Sequence, residues 1–258
     1  MMTYTRFSKN YDRFVNWQDR LAVEIPFLRS ELTALAAEPD GRVRVLDTAC
    51  GTGQHLVALA DLGFKCAGAD ISAGMVEQAK RNIAATDHDI PIHKAGFLDL
   101  TDSFDNQRFD AVLCLGNSLP HLLNRADLVK ALGQFRHLMR PEGKLILQMR
   151  NFDPILARQE RWIPPQTYRE EGRTWLFFRF YDFDPDGRIT FNIAVLDDRG
   201  GATFQQELIA TRLWPLTSEL MLEVLAEVGF GAVRLLGDLQ GAVYDKEKSG
   251  NLVVIARG

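Results

Sequence analysis

The sequence predicts an α/β fold: a seven-stranded, mostly parallel sheet with helices on both faces, N-terminal helices, and an antiparallel β-meander insertion. Three observations predict it. From residue 43 to 149, short apolar runs alternate with helical periodicity, as in strands joined by crossover helices. Gly51 and Gly53 stand between a β-branched run and a helix start, where a chain turns sharply at the end of a parallel strand. After Asn151 the alternation gives way to consecutive strand-like runs separated by turn residues.

Residues 1–38 read as helical, because Tyr11, Phe14, Val15, Leu21, Ile25, Leu28, Leu32 and Leu35 recur at helical spacings. Pro26 is expected to break this helix or to open a second one. Pro39-Asp40-Gly41 turns into a strand at 43–49, and a helix follows from Gln54 to Leu62, ended by Gly63. A strand at 64–70 closes on Asp70, and Ser72 is placed to cap a helix over 73–85. Strands at 90–95 and 109–115, a helix over 126–139 and a strand at 144–149 complete the parallel core. The meander is expected at 162–169, 175–183, 189–196 and 203–213, then a helix over 218–228 and strands at 233–236 and 252–256. The domain reading is a helical lid at 1–40, a cofactor-binding core at 41–150, the insertion at 151–214 as substrate cap or dimer surface, and a return to the core at 215–258.

Composition bounds the function. The 258 residues are 46% apolar and 25% charged, ordinary values for a globular protein. A net charge of −4 with interspersed signs gives no reason to expect nucleic acid. No apolar run has the length of a membrane span, and the first eleven residues lack the apolar stretch of a secretory signal. Three cysteines without a C-x-x-C pair argue against a disulfide framework or a zinc site. A reduced, cytoplasmic setting, no metal, a small-molecule partner and an optional homo-oligomer are the resulting expectations.

The turn Asp47-Thr48-Ala49-Cys50-Gly51-Thr52-Gly53 carries the chemistry. Its glycines admit close backbone approach, and the following helix points unpaired N–H groups into the turn. A dinucleotide site calls for a third glycine, where this chain has Leu56. Asp47 at the strand end favours a ligand with a cationic group, which a pyrophosphate does not offer. S-adenosyl-L-methionine has one in its ammonium, and Asp70 is placed to accept its two ribose hydroxyls.

These residues resemble the class I S-adenosylmethionine-dependent methyltransferases, whose fold is Rossmann-like. The resemblance runs through Val45 to Gly53, Gly68-Ala69-Asp70-Ile71-Ser72 with Met75, and Phe109 to Ser118. Ala49 stands where that family more often has glycine. A narrower resemblance, to the glycine and sarcosine N-methyltransferases, rests on the Ala-Cys-Gly-Thr-Gly turn, on Cys114-Leu115-Gly116-Asn117-Ser118 with His121-Leu122, and on Arg150-Asn151-Phe152-Asp153. It implies cofactor contacts at Asp47, Ala49, Gly51 and Gly53, at Asp70, Ile71 and Met75, and at Gly96, Phe97 and Leu115. Arg20 resembles a lid arginine that meets the cofactor carboxylate. Asn117 and Arg150 are implied to hold a substrate carboxylate, which suits a guanidinium at a strand end. S-adenosyl-L-homocysteine would be the product.

Each assignment has a plain competitor. Arg150 could salt-bridge the insertion, Arg20 could be a surface arginine, and Phe97 could be core, with Asp99 supplying an acid to the adenine. Tyr4, Tyr11 and Trp17 are lid aromatics or core. Trp162-Ile163-Pro164-Pro165 is a pocket wall or a rigid connector. His121 is a candidate base, but a loop-bonding histidine is the preferred reading, so no catalytic residue is assigned. The expected reaction is methyl transfer to the amine of a carboxylate-bearing small molecule by direct displacement. The alternatives are a small-molecule O-methyltransferase, a non-catalytic cofactor-binding protein and an NAD-dependent oxidoreductase.

Overall fold

In the computed structural model, which describes residues 11–12, 15–35, 41–104, 107–198 and 204–258, alternating side chains of the central strands go to opposite faces. The strands are β1 (Arg44–Asp47), β2 (Lys65–Asp70), β3 (Ile92–Lys94), β4 (Phe109–Cys114), β5 (Met139–Arg150), β10 (Gly231–Leu236) and β11 (Asn251–Arg257). Among the described residues they form one seven-stranded sheet in the order β10-β11-β5-β4-β1-β2-β3. Pairing is parallel from β5 to β3, and β11 runs antiparallel to both β5 and β10. The chain order reverses between β1 and β4, so the carboxyl ends of these two strands open a crevice.

Both faces are covered. Leu46, Val112, Leu145 and Leu147 pack on α5 (Arg125–Leu138) and α7 (Ser218–Val228) through Leu128, Phe135, Met221 and Leu225. Their sequence neighbours Val45, Ala111, Leu113 and Ile146 meet the opposite layer. That layer is α1 (Trp17–Thr33), α2 (Gln54–Asp61) and α3 (Ala73–Ala84). The predicted cap forms, the Ser72 hydroxyl accepting from Met75 N at 3.4 Å, and Thr217, which was not predicted, caps α7 in the same way by accepting from Leu220 N at 3.3 Å.

The insertion is a separate antiparallel sheet, β6 (Trp162–Glu170), β7 (Arg173–Phe183), β8 (Ile189–Asp198) and β9 (Phe204–Leu213), paired in chain order. One face of it is apolar, with Trp175, Phe177, Ile193, Val195 and Ile209 clustered, and Tyr11 packs against that cluster. A second cluster joins Tyr181, Ile189 and Leu213 to Phe152 and Ile155. The meander therefore lies against both the N-terminal segment and the end of β5.

Several expectations are corrected. Pro26 lies inside one continuous helix, α1. Buried Leu28 and Leu32 hold that helix to the core after the proline, Glu31 takes ion pairs from Lys144 (2.9 Å) and Arg234, and Glu24 before it meets His55, so contacts on both sides of the proline outweigh its missing N–H. Three short elements were not anticipated: α4 (Leu100–Ser103), a single 3₁₀ turn (Leu119–His121) and α6 (Phe152–Arg158). β5 also starts earlier, taking in Pro141-Glu142-Gly143. Tyr4, Phe14, Pro39 and Asp40 lie outside the described residues. Among the described residues no helix is long and apolar enough to cross a membrane.

Candidate active site

The glycine turn is shaped by its own backbone and by two carboxylates. Gly51 and Gly53 both take left-handed conformations (φ +54° and +81°), and Gly53 opens α2. A Cβ on Gly53 would come within 3.3 Å of the Ala79 Cβ, so α3 also presses on this position. Asp70 Oδ2 accepts from Gly51 N at 3.0 Å, while its Oδ1 accepts from Ser72 N at 2.8 Å. An ionised carboxylate has about four acceptor sites, so Asp70 retains capacity for two hydroxyls. Burial pushes its pKa up, offset in part by those two N–H donors.

Asp47 is only 2% exposed, and its Oδ1 accepts from Ala49 N at 3.1 Å. Burial raises its carboxyl to about 6, with His55 acting in the opposite direction. A cation placed against Asp47 would relieve that desolvation. Ala49 thus contributes its N–H to Asp47 and leans its methyl on the core. The three cysteines are buried, and burial pushes each thiol up, which keeps them unreactive.

The N-terminal segment lies across this turn. Asp12 Oδ1 accepts from both Thr52 Oγ1 (2.6 Å) and Trp17 Nε1 (2.8 Å). Tyr11 reaches to within 3.8 Å of where a Gly51 Cβ would stand, and its hydroxyl is hydrogen-bonded to Arg20. Glu24 accepts from Arg20 Nε at 3.1 Å and meets His55 Nε2 at 2.6 Å. Burial would raise the Glu24 carboxyl, but His55 and Arg20 outweigh it and hold it below its usual value. The Arg20 guanidinium stacks on Trp17 and lies over Gly116, where a Cβ would be 3.7 Å from Nη2. Asp12, Glu24 and His55 were missed in the sequence, because the bonds that tie them to the turn, Asp12–Thr52 and Glu24–His55, join residues 40 and 31 apart.

A hydrophobic slot flanks the turn. Ile71 is 42% exposed beside Gly96, where a Cβ would be 2.9 Å from the Ile71 Cδ1. Phe97 is half-buried and meets Phe135 edge to face at 5.6 Å. The Asp99 carboxylate is engaged by the Gly96 N–H at 2.9 Å. Met75 and Leu115 are buried, so Leu115 offers the site its backbone only, and its carbonyl already accepts from Ser118 Oγ at 2.9 Å.

The loops after β4 and β5 are joined. Asn117 sits at φ +64°, a conformation that asparagine tolerates better than most residues. Its N–H donates to Gln148 O at 3.1 Å, and its Oδ1 accepts from Arg150 N at 3.0 Å. That leaves the Asn117 Nδ2 donors available for a ligand. Gln148, another residue not anticipated, accepts from Gly116 N at 2.7 Å. The Arg150 Nε is buried with no hydrogen-bond partner among the described residues, and its side chain is hydrogen-bonded to Tyr181 of β7. His121 faces Thr211 of β9 at 3.5 Å, and burial lowers its pKa to about 4. An open cleft lined by Gly63, Lys65, Asp87 and His88 lies at the amino ends of the strands, away from all these groups.

Residues 45–143 match a family model described as a methyltransferase domain. The glycine/sarcosine N-methyltransferase of Halorhodospira halochloris is 31% identical over 93% of this chain and 83% of its own length. The CcbJ methyltransferase of Streptomyces caelestis superposes with a TM-score of 0.80 at 22% identity, covering 99% of this chain and 98% of that one. An amino pentose methyltransferase of Micromonospora echinaspora, solved with S-adenosylmethionine bound, gives a TM-score of 0.70 at 22% identity over 98% and 96% of the two chains.

Proposed function

We propose, starting from the fact that this chain belongs to the class I S-adenosylmethionine-dependent methyltransferases, that it methylates the amine of a small carboxylate-bearing acceptor. The observation that carries this reading is Arg150 at the carboxyl end of β5, with a buried, unpartnered Nε and its backbone fixed by Asn117. A guanidinium in that setting fits the fork of a carboxylate. The relatives' names point the same way, since they are glycine/sarcosine N-methyltransferases.

The residues around the glycine turn fit the methyl donor. Asp47 supplies a buried negative charge for its ammonium, Asp70 retains acceptor sites for its ribose, and Ile71 with Gly96 and Phe97 offers an apolar slot for its adenine. When bound, S-adenosylmethionine supplies an electrophilic methyl group that a neutral amine takes by direct displacement, positive charge passing from sulfur to nitrogen. The chain's own work is alignment, which in favourable cases supplies about 7–11 kcal/mol. Arg150 and Asn117 fix the acceptor's anionic end, while Arg20 and Tyr11 close over the turn. The segment through α1 then acts as a lid and the meander as the acceptor's cap. A cytoplasmic setting is part of the proposal.

An oxygen acceptor would need a base to remove its proton. His121, with its pKa at about 4 and its ring against Thr211, is a weak one. This favours an amine, which attacks without prior deprotonation once neutral. The test is Arg150→Ala. Losing a charge-assisted contact should raise the acceptor KM by about tenfold to a hundredfold and leave cofactor affinity unchanged. Weakened cofactor binding with an unchanged acceptor KM would remove Arg150 from the acceptor site.

A further inference from the structure

The strand pair β4–β5 takes up one extra residue where it reaches the site. The two strands pair in parallel up to Cys114 opposite Leu147, so an unbroken register would set Gly116 opposite Met149. Asn117 takes that place instead. Its N–H donates to Gln148 O at 3.1 Å and its Oδ1 accepts from Arg150 N at 3.0 Å, the bonds that a strand residue opposite Met149 would make with its backbone. The side-chain carbonyl of Asn117 thus stands in for a main-chain one. Gly116 is the extra residue, and it and Asn117 are both left-handed, at φ +72° and +64°. An extra residue of this kind re-aims a side chain, and such insertions concentrate beside active sites.

Gln148 holds the insertion in place. Its Oε1 accepts the Gly116 N–H at 2.7 Å, and its Nε2 donates to Asn251 Oδ1 at 3.2 Å. Asn251 lies opposite Arg150 on β11, so one side-chain amide on β5 reaches both neighbouring strands. The main-chain N–H of Gly116 fixes which end of that amide is its oxygen. By strand alternation Gln148 shares the face of β5 that carries Ile146 and Arg150, the face covered by α1. Gly116 lies there under the Arg20 guanidinium. With its side chain and its backbone together, Gln148 binds both left-handed residues.

We propose that Gln148 is a positioning residue for the acceptor: by holding Gly116 as the extra residue it aims the Asn117 Nδ2 donors at the crevice and keeps Asn117 bonded to the Arg150 main chain. This rests on the acceptor reading of the same site and deepens it. Without the Gln148 amide the Gly116 N–H turns to water, and the pairing is free to run on unbroken with Gly116 opposite Met149. A slip of one residue turns Asn117 to the other face of the sheet, breaks its bond to Arg150 and withdraws its donors. A glutamine that only tied β11 to β4 would matter to stability and not to acceptor binding.

The test is a double-mutant cycle on the full chain in complex with S-adenosylhomocysteine, titrated in a calorimeter with acetate as the carboxylate probe. Gln148→Met keeps the side chain's length and removes its polar ends. It should weaken acetate by about fivefold, the scale of one lost hydrogen bond. Asn117→Ala should weaken acetate by about tenfold, and adding Gln148→Met to it should cost less than about a further twofold, because both act through one insertion. Gln148→Asn, polar but one methylene short of Gly116, should weaken acetate as the methionine does, and it takes over should Gln148→Met not fold. Thermal unfolding checks that each variant is folded. Unchanged acetate affinity in the Gln148 variants, even at reduced thermal stability, overturns the proposal, and so do Gln148 and Asn117 effects that multiply. Arg150→Ala separates this outcome from that of the broader reading. If it weakens acetate while the Gln148 variants do not, the acceptor reading stands and the positioning role is removed. If acetate does not bind the parent, or binds Arg150→Ala as tightly as the parent, both are removed.

Discussion

Asn117 Oδ1 accepts the backbone N–H of Arg150 at 3.0 Å, so the loop after β4 sets the position of the arginine at the end of β5. The two residues are far apart in sequence, and each sits at the carboxyl end of its strand, where open α/β sheets bind ligands. The bond explains why an asparagine holds a left-handed conformation here, since its side chain must turn back toward β5.

Asn117→Ala removes both the bond to Arg150 and the Nδ2 donors. We expect the acceptor KM to rise by about tenfold and the cofactor dissociation constant to stay within about twofold. Asn117→Gly relieves the left-handed strain but not the lost bond, so it should raise KM similarly while costing less stability than alanine. Steady-state kinetics with chemical denaturation separates these two effects.

Asp47 links stability to pH. Its folded-state pKa of about 6 lies above its ordinary 3.8, so the native state holds the proton more tightly than the unfolded chain does. Stability contributed by the protonated form is present below about pH 4 and is lost as pH rises to about 6, a change on the order of 3 kcal/mol. Asp47→Asn should therefore be more stable than the parent near neutrality in the absence of cofactor and equal to it in acid. Cofactor affinity should rise with pH through about 6 in the parent, as Asp47 ionises against the ammonium. In Asp47→Asn that rise should be absent, with the affinity close to the parent's in acid and lower than the parent's above about pH 6. Thermal unfolding and calorimetry across the same pH series check both effects.

Glu24 is the hinge of the contact between α1 and the glycine turn, since it binds both Arg20 and His55. Glu24→Ala leaves the buried His55 without that partner and Arg20 unanchored. Stability should fall by about 1–3 kcal/mol, and cofactor affinity should fall with it. A loss of stability with unaltered cofactor affinity would show that Arg20 does not depend on Glu24 for its role.

Gly53→Ala forces an L-residue to φ +81° at the mouth of α2, with its Cβ 3.3 Å from Ala79. The conformational cost is about 1–2 kcal/mol, and displacement of the helix start should weaken cofactor binding as well. Denaturant midpoints and cofactor titration measure the two.

The parts of the fold legible in the sequence were those encoded locally. Val45-Leu46 and the run from Phe109 to Cys114 declare buried strands, Asp47, Gly51 and Gly53 mark the turn within a few residues of one another, and Asp70 closes the very next strand. Asn117 and Arg150 were readable because each follows a strand inside a recognisable motif. Tyr181 was not, because nothing near it in sequence says that β7 lies against the end of β5. The Glu24–His55 contact was hidden for the same reason, its partners being 31 residues apart. Pro26 misled because tertiary packing of Leu28 and Leu32 keeps α1 continuous through it. Helix α6 is a single short stretch with its own proline, and it is held by contacts with the meander rather than by helical periodicity.

The central claim is that the methyl group goes to an amine. The most direct test incubates the protein with S-adenosylmethionine labelled in its methyl carbon and a panel of amino-carboxylates, amino-dicarboxylates, aminophosphonates and hydroxy acids, then reads the products by NMR. We expect a labelled N-methyl signal matched one for one by S-adenosylhomocysteine. Label found on oxygen, or none transferred to any amine in the panel, would contradict the account.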